Sequence, residues 1–263
     1  MTNNMGYACI NMQLSTMKPR IYTGRSMIKR TFKAKGIEYA SELGLGNTKD
    51  LFTIVKWNNE NGFKFFRITS NLFPWSSEYK LSDMPDYKEI CSILSDIGKY
   101  VKENDMRITC HPGPFNVLTS PHPHVVDNCI VDLSIHGEVF DLMGLSRTPF
   151  NKINIHIGGV YTKIGIPIVF DYHHHRFCDG GLSEQEALEL AMSTWGNIIP
   201  VVHYSESRSI EQENPKIRPQ AHSDYVLDYI DTYGNRVDIM VEAKAKELAV
   251  LKYKEIHNDT RKN

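Results

Sequence analysis

Seven short apolar runs punctuate this chain: GYACINM, FKFFRIT, RITCHPG, INIHIGG, IPIVFDYHHH, IIPVVHYSE and RVDIMVEAK. Near-continuous apolar runs of this length suit strands buried on both faces, which is the pattern of a parallel sheet. Each run also carries a polar group at or near its C-terminal end: Asn11, Arg67, His111, His156, Asp171 with His174, His203 and Glu242. Barrels of parallel strands place their chemistry at that rim. The pattern predicts an α/β protein of the TIM-type (β/α)8 class in which about seven strands are recognisable.

The segments between the runs have helical periodicity. Residues 86 to 103 place Ile90, Ile93, Leu94, Ile97 and Val101 on one stripe, the spacing of a helix that covers a sheet. Residues 48 to 60 do the same with Leu51, Ile54 and Val55, and residues 122 to 145 with Val125, Val126, Cys129, Ile130 and Leu133. Ser183 followed by Glu186 is a capping-box signature ahead of another helix. Strand and helix therefore alternate, as βα repeats require.

One connection breaks this order. Only VYTKIG joins the run that ends at Gly159 to the run that starts near Ile166, yet two parallel strands need a crossover of a dozen or more residues. The short connection predicts that one βα unit is absent, leaving an open or distorted barrel with a gap between its fourth and fifth strands. No linker divides the chain, so residues 1–263 are expected to form a single domain.

No apolar stretch reaches membrane-spanning length, and MTNNMGYACINM lacks the basic start and apolar core of a signal peptide. The expectation is a soluble protein of the cytoplasm, nucleoid or nucleus, with no membrane partner. Five scattered cysteines without a CxxC fit reduced thiols, and Cys9 and Cys110 are expected inside strands. The net charge is only −1, but residues 1 to 37 contain Lys18, Arg20, Arg25, Lys29, Arg30, Lys33 and Lys35 and no acidic residue. A local cluster of +7 is what a phosphate backbone attracts, although a solvated basic face has the same composition.

Six of the eleven histidines, His111, His156, His173, His174, His175 and His203, lie at strand ends or just after them. Imidazoles mixed with carboxylates, and no thiolate, favour manganese, zinc, iron or cobalt. Asp171-Tyr-His-His-His175 puts a carboxylate and a histidine three residues apart at a strand end; side chains alternate faces, so not all three histidines can point inward, and His174 is the expected ligand with His175 its supporting or substrate-facing neighbour. His222 in RPQAHSDY stands at the start of an apparent helix, and Glu242 ends an apolar strand, where a carboxylate needs a cation or a partner such as Lys244. Arg67, Asn71, Phe73 and Trp75 in RITSNLFPW can contact phosphate or bases, or can pack the barrel mouth. Phe115 follows a rigid His111-Pro-Gly-Pro turn that can present it as a wedge, and Tyr7 is either a ligand contact or a core aromatic.

In order, GYACINM, FRITSNLFPW, TCHPG, HIGGVY, GIPIVFDYHHH, the RP-x-AH around His222 and DIMVEAKAKE resemble the motifs of the UV damage endonuclease family over nearly the whole chain. The resemblance implies a TIM-barrel DNA repair enzyme, related in architecture to endonuclease IV, that hydrolyses the phosphodiester bond 5′ of a UV photoproduct in double-stranded DNA. It implies a cluster of up to three divalent metals, commonly manganese, held by His111, His156, Asp171, His174, His203, His222 and Glu242. Among these, Asp171, His203 and Glu242 are the expected catalytic residues, while Tyr7, Asn11, Arg67, Asn71, Phe115 and His175 are expected to meet the substrate. The chain is expected to act as a monomer.

The chain also departs from that family. VYTKIG stands where the family has a βα unit whose strand ends in a metal-bridging glutamate, and Val201 stands where many members have a lysine that can be carboxylated. Pro114 stands in place of a glutamine in the probing turn. Two other readings are therefore weighed: a lesion-binding protein with weakened catalysis, and another metal-dependent barrel enzyme such as an abasic-site endonuclease or a sugar isomerase.

Overall fold

The structure, a computed structural model, describes residues 3–113, 116, 118, 120, 122–155 and 166–258. Six strands appear among them: β1 Met5–Ala8, β2 Phe65–Ile68, β3 Arg107–Cys110, β4 Phe170–Asp171, β5 Val201–Tyr204 and β6 Asp238–Val241. The helices are α1 Met12–Ser15, α2 Lys29–Glu60, α3 Tyr87–Glu103, α4 Pro123–Leu142, α5 Tyr172–His175, α6 Glu184–Met192, α7 Arg208–Glu211 and α8 Glu247–Asn258. Six of the seven predicted runs thus contain a strand. The remaining one, INIHIGG, contributes an isolated parallel bridge between Ile153 and Cys110 before it leaves the described residues.

The chain parts into two compact units, Met1–Ala8, Phe63–Phe65 and Ile164–Asn263 in one, Cys9–Gly62 and Phe66–Lys163 in the other. Each is assembled from separated stretches of sequence, so no composition boundary marks them.

In the first unit, β1, β6, β5 and β4 are hydrogen-bonded neighbours in that order, and their pairings are parallel. All residues of β1, β5 and β6 are buried, as expected for strands covered on both faces. Gly6 in β1 is required by close approach, because a Cβ there would lie 2.4 Å from the Phe65 carbonyl oxygen. β4, the last strand of this series, keeps only two residues. Before it, Ile166 and Ile168 are substantially exposed, while Trp195 Nε1 donates to the Ile168 carbonyl at 2.6 Å. α6 begins at the expected capping box, in which the Ser183 and Glu186 side chains each accept from the other's backbone N–H.

The second unit holds β3 beside β2, with α3 packed on α2 and α4. α3 buries Ile90, Leu94, Ile97 and Val101 as the periodicity predicts, and α2 buries Leu51, Ile54 and Val55. Gly36, at φ 67°, breaks the long α2 segment into two helices. α4 departs from expectation. Its buried residues are Cys129, His136, Val139 and Phe140, whereas Ile130 is 52% exposed. The reason is a polar anchor invisible to hydrophobic periodicity: His136 turns inward, with Nδ1 2.7 Å from the Asp132 carbonyl oxygen and Nε2 3.2 Å from that of Ser70.

Cys110 is buried in β3, while Cys9 lies just beyond β1 at φ 68° and is not a strand residue. All five cysteines are free. Among the described residues, no helix is long and apolar enough to cross a membrane.

Candidate metal centre

Strand register builds the centre. Asp171 pairs with His203, and His203 pairs with Met240. Paired residues of parallel strands face the same way, and so do residues two apart in one strand, so Glu242, two beyond Met240, joins Asp171 and His203. The Glu242 N–H donates to the Tyr204 carbonyl at 2.9 Å, which carries the pairing past the end of β6. One donor atom from each of Asp171, His203 and Glu242 lies within 4.8 Å of the others.

The neighbouring distances define the electrostatics. His203 Nδ1 is 3.2 Å from Glu242 Oε1 and 3.8 Å from Asp171 Oδ2. His174 Nδ1 is 3.3 Å from Asp171 Oδ2, and His222 Nε2 is 3.9 Å from Glu242 Oε2. Burial pushes the Asp171 carboxyl up, but hydrogen bonding and charge from His203, followed by the His174 N–H and ring, outweigh it and leave its pKa below the usual range. Asp171 is therefore ionised at neutral pH. His222 is shifted down, chiefly by burial, against the opposing pull of Glu242. It is therefore neutral at pH 7, the form in which imidazole ligates a metal.

These residues fit a divalent cation. Two carboxylates and three imidazoles form the donor set of manganese, zinc, iron or cobalt sites. The buried Nδ1 of His222 has no hydrogen-bond partner, and the three central donors lie within 4.8 Å of one another.

Several expectations need correction. No helix starts at His222, which instead forms an antiparallel bridge with Ser207. The backbone N–H groups of Asp224 and Tyr225 are taken by the Glu211 carboxylate at 2.7 and 2.8 Å, which holds the segment in a non-helical path. The strand also does not continue through the three histidines. Asp171 accepts from the His174 N–H at 3.0 Å and caps α5, so Tyr172–His175 turn helically instead of alternating. His174 keeps its place beside Asp171, while His175 packs its ring 5.3 Å from Phe170. His173, assigned no role from sequence, is almost fully buried, with Nε2 3.0 Å from the Gln220 carbonyl oxygen and its ring 5.1 Å from that of His222. A carboxylate followed three residues later by histidine was the available signal, because Asp is a helix N-cap.

Tyr7 and Asn11, expected at the substrate, are both wholly buried. Tyr7 meets Phe63 edge-on at 5.4 Å, and Asn11 Oδ1 accepts the Leu14 N–H at 2.9 Å as the N-cap of α1. Tyr7 thus packs as an aromatic beside Phe63, and Asn11 caps α1. In the second unit, Arg67 Nη1 lies 3.4 Å from His111 Nδ1. A guanidinium N–H can only donate, so this contact makes Nδ1 the acceptor. Asn71 is exposed and donates to Ser26 Oγ at 3.2 Å. Phe73 is buried, and Trp75 stacks on Phe32 while Nε1 donates to the Met27 carbonyl at 2.9 Å, so both aromatics pack the loop. His156 and Phe115 lie outside the described residues.

The lowered pKa of His222 carries a prediction for the metal-free chain. The unfolded state binds more protons as pH falls through the ordinary imidazole range near about 6.5, so stability declines there and levels off below the folded pKa. His222→Asn is expected to flatten this decline in thermal melts between pH 8 and 5.

Fold and site together define an α/β protein of the TIM type, with six strands among the described residues and a carboxylate–imidazole cluster. A model of the UV-endonuclease UvdE family matches residues 3–164 and 160–261, and the chain belongs to that family. It is 30% identical over 299 aligned positions to the UV-damage endonuclease of Schizosaccharomyces pombe, covering 94% of this chain and 49% of that protein. It is 29% identical over 263 positions to the UV DNA damage endonuclease of Bacillus mycoides, covering 79% of each. The chain therefore spans about half the length of the S. pombe relative. The crystal structure of SacUVDE superposes with a TM-score of 0.82 at 26% identity, covering 100% of both chains.

The family model matches in two pieces that meet at residues 160–164, within the connection too short for a crossover. The S. pombe alignment is also longer than this chain, so the relative has residues without counterparts here. Both findings agree with an absent internal βα unit.

Proposed function

We propose that this chain is a metal-dependent DNA endonuclease that hydrolyses the phosphodiester bond on the 5′ side of a UV photoproduct in duplex DNA. The observation that carries the proposal is the placement of Asp171, His203 and Glu242 on one face by strand register, in a chain of the UvdE family. Asp171 and Glu242 supply negative charge for a divalent cation, manganese by resemblance, and His203 lies between them. His174 and His222 extend the donor set on either side. The bound cation supplies Lewis acidity toward a phosphoryl oxygen and makes water a nucleophile at neutral pH. A DNA substrate places the working protein in the cytoplasm, nucleoid or nucleus.

The basic N-terminal segment supports the same reading. Arg25 is consumed structurally by a 2.7 Å ion pair with Asp50, but Lys18, Arg20, Lys29, Arg30, Lys33 and Lys35 are exposed. Arg30 and Lys33 stand one turn apart on the first part of α2, a spacing that suits adjacent phosphates. Replacing both with Gln is expected to weaken binding to irradiated and unirradiated duplex alike. It should also reduce the slope of log K against log salt concentration by about 2, measurable by fluorescence anisotropy.

The deciding experiment is nicking of supercoiled plasmid, irradiated or not, with manganese and with chelator. Irradiation-dependent, chelator-sensitive nicking is expected. Retention of irradiated DNA without nicking at any manganese concentration would replace the proposal with a lesion-binding protein. Absence of preferential DNA binding would point to another barrel enzyme.

A further inference from the structure

We infer that Glu206 and Glu211 are positioning residues that hold His222 in place as a metal ligand, an inference that rests on the proposed metal centre. Beyond β5, which delivers His203, the chain runs antiparallel to the segment around His222. The Arg208 N–H donates to the Ala221 carbonyl at 2.8 Å and the Ser223 N–H to the Glu206 carbonyl at 2.9 Å. Beyond Ser223, no strand or helix satisfies the next backbone donors; carboxylates do so instead. Glu211 Oε2 accepts the Asp224 N–H at 2.7 Å and its Oε1 the Tyr225 N–H at 2.8 Å. Glu206 Oε1 accepts from Leu227 and Asp228 at 2.8 and 2.9 Å.

Hydrogen bonds from backbone N–H groups to an ionised carboxylate are among the strong ones, and four of them confine this segment to one path. That path sets His222 Nε2 3.9 Å from Glu242 Oε2. Without it, the segment would have to be ordered when the cation binds, and affinity would fall accordingly. Gln at position 211 retains one acceptor oxygen but turns an amide toward the second N–H, which breaks half of the pair.

The test is a cycle of manganese affinities by calorimetry on the metal-free full chain: wild type, Glu211→Gln, His222→Ala and the double variant. Glu211→Gln is expected to weaken binding about 10-fold, the scale for partners that orient ligands, and to have no further effect once His222 is Ala. Wild-type affinity in Glu211→Gln, or an undiminished loss in the His222→Ala background, would overturn the positioning role. Unchanged affinity in His222→Ala would instead remove His222 from the ligands and overturn the reading beneath it. If Glu211→Gln melts below the assay temperature, Glu206→Gln enters the same cycle with the same expected outcomes.

Discussion

Glu242→Gln is expected to cut nicking of irradiated plasmid by at least about 100-fold while leaving binding to the same DNA intact. The substitution keeps the side-chain shape but removes one of the two negative charges at the centre, and it gives the position a donor where a cation needs an acceptor. His203 Nδ1, 3.2 Å from Glu242 Oε1, loses its nearest carboxylate, and His222 Nε2 loses the group it faces at 3.9 Å. Losing a group that merely orients a ligand costs about 10–100-fold in affinity or activity, so removing a donor itself should reach or exceed the upper end. The basic surface around Arg30 and Lys33 belongs to another part of the chain, and gel retardation of irradiated duplex should be unchanged. Wild-type nicking by the variant would exclude Glu242 from the donor set, and a parallel loss of retardation would point to a folding defect.

Parallel strands were the most legible feature, because burial on both faces leaves a predominantly apolar run with few polar interruptions. That rule located β1, β2, β3, β5 and β6, together with the polar groups following them. It overestimated β4, where the run contains four apolar residues before Asp171 but only Phe170 and Asp171 pair. The first part of that run is exposed, and apolar composition alone does not distinguish an edge from a centre. The inward face of α4 was illegible for a different reason: its buried side includes His136, anchored to carbonyls of Asp132 and Ser70, and periodicity counts histidine as polar.

For the candidate site, strand ends sufficed to select Asp171, His203 and Glu242, because register turns equivalent positions on neighbouring strands into spatial neighbours. The surroundings were less legible. The helical turn at Tyr172–His175 follows from Asp171 acting as a cap, a local choice that competes with continuation of the strand. The non-helical path at His222 depends on Glu211, more than ten residues away. Asn11 shows a related limit: an amide after a strand suits a ligand contact and a helix cap equally well, and the pattern did not announce that its Oδ1 accepts the Leu14 N–H. Only the His222 path rests on distant hydrogen bonds; the two caps are local, and a short-range pattern fits a cap and its alternative alike.

Gly98→Ala is expected to destabilise the fold by about 2–3 kcal/mol, although helix propensity alone argues the other way. In an exposed helix interior, Ala is better than Gly by about 1 kcal/mol. Gly98 is in the buried face of α3, however, and a Cβ there would lie 1.7 Å from the Met143 carbonyl oxygen and 2.6 Å from its carbon. Met143 is the C-cap of α4, with its N–H donating to Val139 at 3.1 Å, so the obstacle is backbone and no side-chain rotation relieves it. The helices must separate, and such overpacking costs typically about 1–3 kcal/mol and occasionally more. For a chain of this size that should lower the thermal midpoint by roughly 4–12 °C. Gly137→Ala is the matched control: it lies within α4 with nothing within 4 Å of its would-be Cβ, so propensity acts unopposed and stability should hold or rise by up to about 1 kcal/mol. Equal midpoints for Gly98→Ala and wild type would mean that α3 and the end of α4 do not make this contact.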